Sequence, residues 1–352
     1  MIHLGVNRMK PIVKELIRVA VVGCVLPCVL IGFVIRATQP ERPEQTVPTT
    51  MDALQTQPQT IPPTHPQPTL PVQIEPLTVP VLMDEIPVTM ELEGYIIGVV
   101  LGEMPASFER EALKAQAIVA RTYTLKTCLD GKRHGDGAIC TEAGCCQAYC
   151  PPQDYLAKGG TEDALRRVIS AVEATAGQVL TYDGALITAT YFSCSGGSTE
   201  DAVAVWGYDI PYLQSVSSPG EEDAAVFYRE KRFTPAQLCK KLGLSLSGDP
   251  ADWFGPVSYT SGGGVAVMEI GGKSFRGTAI RTRLGLRSTM FSVRVEDGAI
   301  IFCTRGYGHR VGMSQYGANA MAKGGYSCRQ ILLHYYTDTV LTTFSGEFQE
   351  KL

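Results

Sequence analysis

The stretch that decides how this chain is read is "LGEMPASFEREALKAQAIVARTYTL", residues 101–125. An apolar segment ends at Glu103, Pro105 opens a turn, and an Ala-rich helix is predicted over 109–127, with Glu109 and Glu111 suiting its positive N-terminal end. Most of that helix is small or apolar and therefore built for burial, yet Lys114 and Arg121 fall at i and i+7 on one stripe. A charge in such a setting needs a partner or a job. Glu103 has two readings: a helix-end glutamate that caps or hydrates, or a general acid among apolar groups, where desolvation raises its pKa. The nearby cations would lower it again, unless they face an anionic group on a substrate. Solvated faces are the ordinary fate of helix cations.

Outward from this stretch, the flanks are simpler. Residues 16–35, "LIRVAVVGCVLPCVLIGFVI", are apolar except for Arg18, and about 20 such residues suffice to span a bilayer. Arg8, Lys10 and Lys14 precede them, so the positive-inside bias puts residues 1–15 in the cytoplasm, a single anchor at 16–36 and everything later outside. A cleaved signal peptide is the rival, but no small-residue cleavage site follows. Residues 37–80 hold half of the chain's 22 prolines and form a semi-rigid extracytoplasmic spacer. The globular domain is then 81–345. A net charge of −4 gives no reason to expect a nucleic-acid partner.

Within that domain, residues 86–92 alternate as a strand, 93–101 turn helical, and 161–176 form a second amphipathic helix. In "GQVLTYDGALITATYFS", Asp183-Gly184 between apolar runs signals a hairpin. Further strands are expected near 264–270 and 291–303, and helices at 314–323 and 327–336. Helices mixed with mainly antiparallel strands make the fold α+β.

Three other stretches could carry chemistry. "RHGDGAICTEAGCCQAYC" gathers His134, Cys140, Cys145 and Cys146 in a loop too polar to pack alone, which suits a tetrahedral structural zinc with Cys128 or Cys150 as substitutes. Disulfides are the rival outside the cytoplasm, although nine cysteines follow the anchor, an odd count, and the vicinal Cys145-Cys146 pair bridges poorly. "TYFSCSGGSTED" offers Ser193, Cys194 and Ser195 before a Gly-Gly turn, as a nucleophile paired with His309, a polar sugar-binding loop or a plain turn. "GYGHRVGMSQYGANAMAKGG" sets His309, Gln315 and Tyr316 among glycines 306, 308 and 312, with Ser314 as a helix cap. His334 reads as a packed residue.

Taken together, residues 93–125, 191–213 and 306–339 resemble, in order, the stage II sporulation protein D family of membrane-tethered lytic transglycosylases. The resemblance implies two lobes around a glycan-binding cleft, with Glu103 as catalytic acid/base and Lys114, Arg121, Tyr191, Ser193, Ser195, His309, Gln315 and Tyr316 lining the cleft. Some family members hold zinc in the loop after the long helix. The implied substrate is peptidoglycan glycan stripped of stem peptides, whose muramic lactyl carboxylates Lys114 and Arg121 would meet. The implied setting is the mother cell membrane during engulfment, beside a wall amidase/endopeptidase (stage II sporulation protein P) and a membrane scaffold (stage II sporulation protein M). Two residues depart from the pattern: Arg310 stands where a glycine is expected, and Cys194 where a small polar residue is common. The alternatives are a noncatalytic glycan-binding activator of an amidase, a Cys/His or zinc peptidase of the wall, and a purely structural membrane protein.

Overall fold

The computed structural model describes residues 76–131, 133–134 and 137–344. Residues 1–15, the expected anchor at 16–36 and the spacer up to 75 lie outside the described residues, and among those described no helix is long and apolar enough to cross a membrane. The fold proper begins within the expected spacer: β1 (Thr78–Met83) pairs with β2 (Ile86–Glu91) across a tight turn in which Asp84 and Glu85 both take positive φ. Pro80 is accommodated in β1 opposite Thr89.

Helix α1 (Leu92–Glu103) follows at once and buries most of its surface, which is why its apolar residues show no one-sided stripe. Helix α2 (Arg110–Asp130) is the long helix foreseen, extended to a left-handed Gly131 cap. Its Thr122 and Thr124 hydroxyls donate to the carbonyls of Ile118 and Ala120, so these polar side chains are buried without cost in unmet hydrogen bonds. The short strand β3 (Ile139–Cys140) then returns to run parallel to β1.

After α3 (Pro152–Ala157) comes α4 (Glu162–Glu173), whose Thr161 cap accepts from the Ala164 amide at 3.2 Å. Strands β4 (Gln178–Tyr182) and β5 (Ala185–Leu186) form the hairpin, with Asp183 and Gly184 both at positive φ as an Asp-Gly turn requires. Short pieces follow: β6 (Tyr191–Phe192), β7 (Gly197–Ser198), α5 (Ala202–Trp206) and β8 (Ser217–Ser218), the last paired with β7.

The segment 228–305 builds a separate core that the sequence reading largely missed. It comprises β9 (Tyr228–Phe233), α6 (Pro235–Leu242), β10 (Phe254–Tyr259), β11 (Val265–Ile270), β12 (Lys273–Arg276), α7 (Gly277–Leu284), β13 (Phe291–Glu296) and β14 (Ala299–Arg305). Two antiparallel sheets, ordered β13-β14-β9 and β10-β11-β12, enclose Leu238, Ile270, Ile280, Leu284 and Phe302. The expected single stretch at 291–303 is thus two strands of one hairpin.

The chain then rejoins the first core. Strand β15 (Met313–Ser314) runs parallel to β6, and α8 (Gln315–Lys323) and α9 (Cys328–Tyr335) pack on α2. Strand β16 (Val340–Thr343) closes against β4. Helix α2 is therefore the central member of the first core, touched by α1, α4, α8, α9 and β4. The α+β class is as the sequence implied, and the parallel pairs are β1–β3 and β6–β15.

Candidate active site around Glu103

Glu103 is the last residue of α1, and the turn behind it is anchored by buried Met104 and Phe108. Its half-buried carboxylate accepts the Ala148 amide at 2.5 Å. Burial pushes its pKa above the ordinary carboxyl value, while the hydrogen bond from the Ala148 amide, and then the nearby polar side chains of Tyr191 and Gln315, pull it back. The Ala148 amide reaches it because Gly98 and Gly102, four apart on one face of α1, leave a notch. A Cβ on Gly98 would lie 2.1 Å from the Tyr149 ring, and one on Gly102 would lie 2.9 Å from the Ala148 carbonyl. Tyr149 stacks on Tyr95 with centroids 5.5 Å apart, and the Cys150 amide donates to Gly98 O at 2.9 Å. Residues 148–150 thus lie flush in the helix.

The opposite wall comes from the β6–β15 pair, whose register sets Met313 against Tyr191 and Ser314 against Phe192, so that Gln315 follows directly. The Tyr191 hydroxyl donates to Gln147 Oε1 at 3.1 Å, and Gln147 Nε2 donates to Thr124 on α2 at 2.9 Å. Burial and the neighbouring Glu103 push the Tyr191 hydroxyl pKa up. His309 Nδ1 accepts the Val311 amide at 3.1 Å, and its ring lies 5.6 Å from Phe192 and 5.7 Å from Trp206. Burial, with Arg281 nearby, lowers its pKa to about 4, so at neutral pH the ring is uncharged with its proton on Nε2.

These groups line a cavity of about 680 Å³ together with Ser193, Trp206 and Tyr208. A second, more open hollow of about 800 Å³ runs along Met104–Ser107 to Tyr155 and Arg167, and Glu103 lines both. Of the residues expected at the site, the structure gathers Glu103, Tyr191, Ser193, His309 and Gln315.

The others lie elsewhere. Arg121 is fully buried, with its guanidinium on both carboxylate oxygens of Glu93 (2.9 and 2.6 Å) and on the Gln178 carbonyl. Lys114 pairs with Glu111 at 2.6 Å, one turn back on α2. Neither cation lines the Glu103 cavity, so the question posed by their stripe has a structural answer: each has a carboxylate partner. Ser195 is fully buried and binds Glu221, and the Tyr316 ring packs edge-on against Phe108 with centroids 5.0 Å apart. Cys194 is buried too, its thiol donating to Glu221 at 3.0 Å and its pKa pushed up by burial, an unsuitable nucleophile for His309.

Arg310, the other departure, has φ 69°, which explains the glycine expected there. Its side chain is fully buried and donates to Glu200 (2.9 Å) and to the carbonyls of Ser195 (2.7 Å), Ser198 (2.8 Å) and Gly262 (2.6 Å). It is a clamp between the 195–200 loop and the turn joining β10 to β11. The buried acids Glu200 and Glu221, and the Gln147–Ala148 contacts, were not found from sequence; the four-residue glycine spacing at 98 and 102 was the available signal for the last.

The donor atoms of His134, Cys140, Cys145 and Cys146 lie within 4.8 Å of one another, a set able to hold a metal ion. His134 Nε2 is 3.4 Å from each of the Cys145 and Cys146 sulfurs, which are 4.0 Å apart. Cys128 and Cys150 fall outside this set. No disulfide forms among the described cysteines. Cys145 and Cys146 also line the Glu103 cavity, and Ala148 follows two residues later.

A family model described as stage II sporulation protein matches residues 85–182. The amidase enhancer of Bacillus subtilis (strain 168) is 29% identical over 293 residues, covering 66% of this chain and 38% of that protein. Stage II sporulation protein D of Bacillus amyloliquefaciens is 39% identical over 231 residues, covering 64% of this chain and 67% of that protein. The same protein of Bacillus subtilis is 39% identical over 237 residues, covering 66% and 68%. Similarity at this level, across two thirds of those relatives, makes this chain a member of the stage II sporulation protein D family.

Proposed function

We propose that the chain is a peptidoglycan lytic transglycosylase acting in sporulation, with Glu103 as its acid/base. The observation that carries this reading is the Glu103 carboxyl itself: half-buried, raised in pKa, and the one carboxylate among the described residues lining the 680 Å³ cavity. Glycosidases that use water need a pair of carboxyl groups across the bond. Here one suffices if the sugar supplies its own nucleophile. Glu103 gives its proton to the leaving glycosidic oxygen as the bond to the muramic anomeric carbon breaks. The C6 hydroxyl of the same muramic residue then bonds to that carbon, and its proton passes to the Glu103 carboxylate. The product is a 1,6-anhydro-muramic end, no water is consumed, and the acid is restored. Tyr191, Ser193 and Gln315 would orient the sugar, and the two hollows that share Glu103 would hold the strand on either side of the scissile bond.

Product analysis tests this directly. Stripped glycan strands incubated with the protein should yield fragments whose new ends are lighter by one water than those of a hydrolase; ends of hydrolytic mass would refute the reaction. A second reading rests on the relative named amidase enhancer: this chain would bind glycan and stimulate a wall amidase. It predicts no anhydro ends alone and faster amide cleavage when an amidase is added.

We further propose that the thiol and imidazole cluster holds one structural zinc. A tetrahedral zinc with bonds of about 2.3 Å to sulfur and about 2.0 Å to nitrogen sets sulfurs about 3.8 Å apart and sulfur from nitrogen about 3.6 Å, close to the spacings of these side chains. Bound there, the ion would supply rigidity to residues 140–148 and take no part in bond breaking. Freshly purified protein should carry about one equivalent of zinc by elemental analysis. The Cys145→Ser, Cys146→Ser double variant should retain less than about a tenth of that and melt at lower temperature. The proposed setting is the extracytoplasmic side of a membrane, on a single-pass anchor, with a wall amidase/endopeptidase as candidate partner.

A further inference from the structure

With Lys114 and Arg121 each engaged by a carboxylate, another cation must meet any anionic group on the sugar. Among the described residues that line the 680 Å³ cavity, the one guanidinium or ammonium group is that of Arg133. It is exposed, and no carboxylate pairs with it among the described residues. Its Nη1 donates to the Tyr123 hydroxyl at 2.6 Å, and Tyr123 is a buried residue of α2. The guanidinium is thereby tied to the central helix of the first core; the Cys145 thiol also hydrogen-bonds it, and the planar group retains further N–H donors suited to a carboxylate. His309, across the same cavity, is uncharged at neutral pH and cannot serve as the counter-ion.

We propose that Arg133 is the specificity residue that receives the lactyl carboxylate of a muramic sugar bound beside Glu103. This rests on the glycan reading above. When a stem peptide is attached, that carboxyl is an amide and carries no charge; once it is removed, a full negative charge appears. A single guanidinium at this position therefore distinguishes stripped from peptide-bearing strands. Arg133 also stands beside the Cys145 thiol, so a role confined to the metal-binding loop is the competing explanation.

The test uses the full-length chain carrying Glu103→Gln, so that no strand is cut. It is titrated by calorimetry with stripped glycan fragments and with chito-oligosaccharides of equal length, which lack the lactyl group. Adding Arg133→Gln should weaken the stripped fragment by about tenfold or more and the neutral sugar by less than about twofold, with Arg133→Lys in between. Metal content should be unchanged. Equal weakening of both ligands, especially with loss of metal, assigns Arg133 to the loop and overturns the proposal, as does parental binding of both. If the Arg133-containing chain binds neither sugar, the glycan reading itself fails, a result distinct from either.

Discussion

Replacing Glu103 by glutamine is expected to leave less than about a thousandth of the parental rate of anhydro-end formation, the scale set by general acid and base catalysis acting in succession. Glutamine keeps the shape and can still accept the Ala148 amide, so the variant should fold, bind glycan and melt no lower than the parent. The pH dependence has a definite sign. The first step needs the protonated acid, and burial holds the folded pKa above its ordinary value. kcat/KM should therefore persist above the ordinary carboxyl range and fall as pH rises through the raised pKa. The native state binds the extra proton in that window, so the parent loses stability as pH climbs through it, and the glutamine variant does not. Its Tm advantage should be present at neutral pH and vanish below the unfolded carboxyl pKa. Anhydro ends formed by Glu103→Gln at the parental rate would remove Glu103 from the chemistry.

The second large effect concerns Arg310. Arg310→Ala strands Glu200 in the interior without its counter-ion, while three carbonyls lose their donor. Breaking a buried pair from one side costs about 3–5 kcal/mol, which urea denaturation would read as a lower midpoint. Arg310→Gly relieves the positive φ and should be less damaging than alanine. Combining either with Glu200→Gln should recover part of the loss, because no unpaired charge remains. A loss below about 1 kcal/mol for Arg310→Ala would show the clamp to be a passive contact.

What could be read from the sequence follows from where each signal is local. The Asp183-Gly184 hairpin, the Thr161-capped helix and the long α2 are set by neighbours in the chain, and all three were legible. Strands β9 and β10 were not. β9 is "YREKRF", exposed at every position but Phe233, and β10 contains Gly255 and Pro256; both are edge strands, which carry no buried alternation. At the site, the run from Gly306 to Tyr316 announced itself through its glycines and placed His309 and Gln315 at the cavity. The cations of α2 misled because helical spacing fixes a stripe without saying what faces it. Glu93 lies 28 residues before Arg121, and only the packing of α1 on α2 joins them. The cavity's cation came instead from a loop read for its cysteines.

The notch in α1 has a chemical consequence. The Ala148 amide lowers the proton affinity of Glu103, and it does so only while residues 148–150 lie flush against Gly98 and Gly102. In the proposed reaction, a loop lifted from that seat would leave a carboxyl that yields its proton less readily to the glycosidic oxygen, so the first half of the cycle would stall, although the carboxylate once formed would be the stronger base. The proton affinity of Glu103 is thereby geared to the seating of a neighbouring segment, with the two missing glycine side chains as the gear.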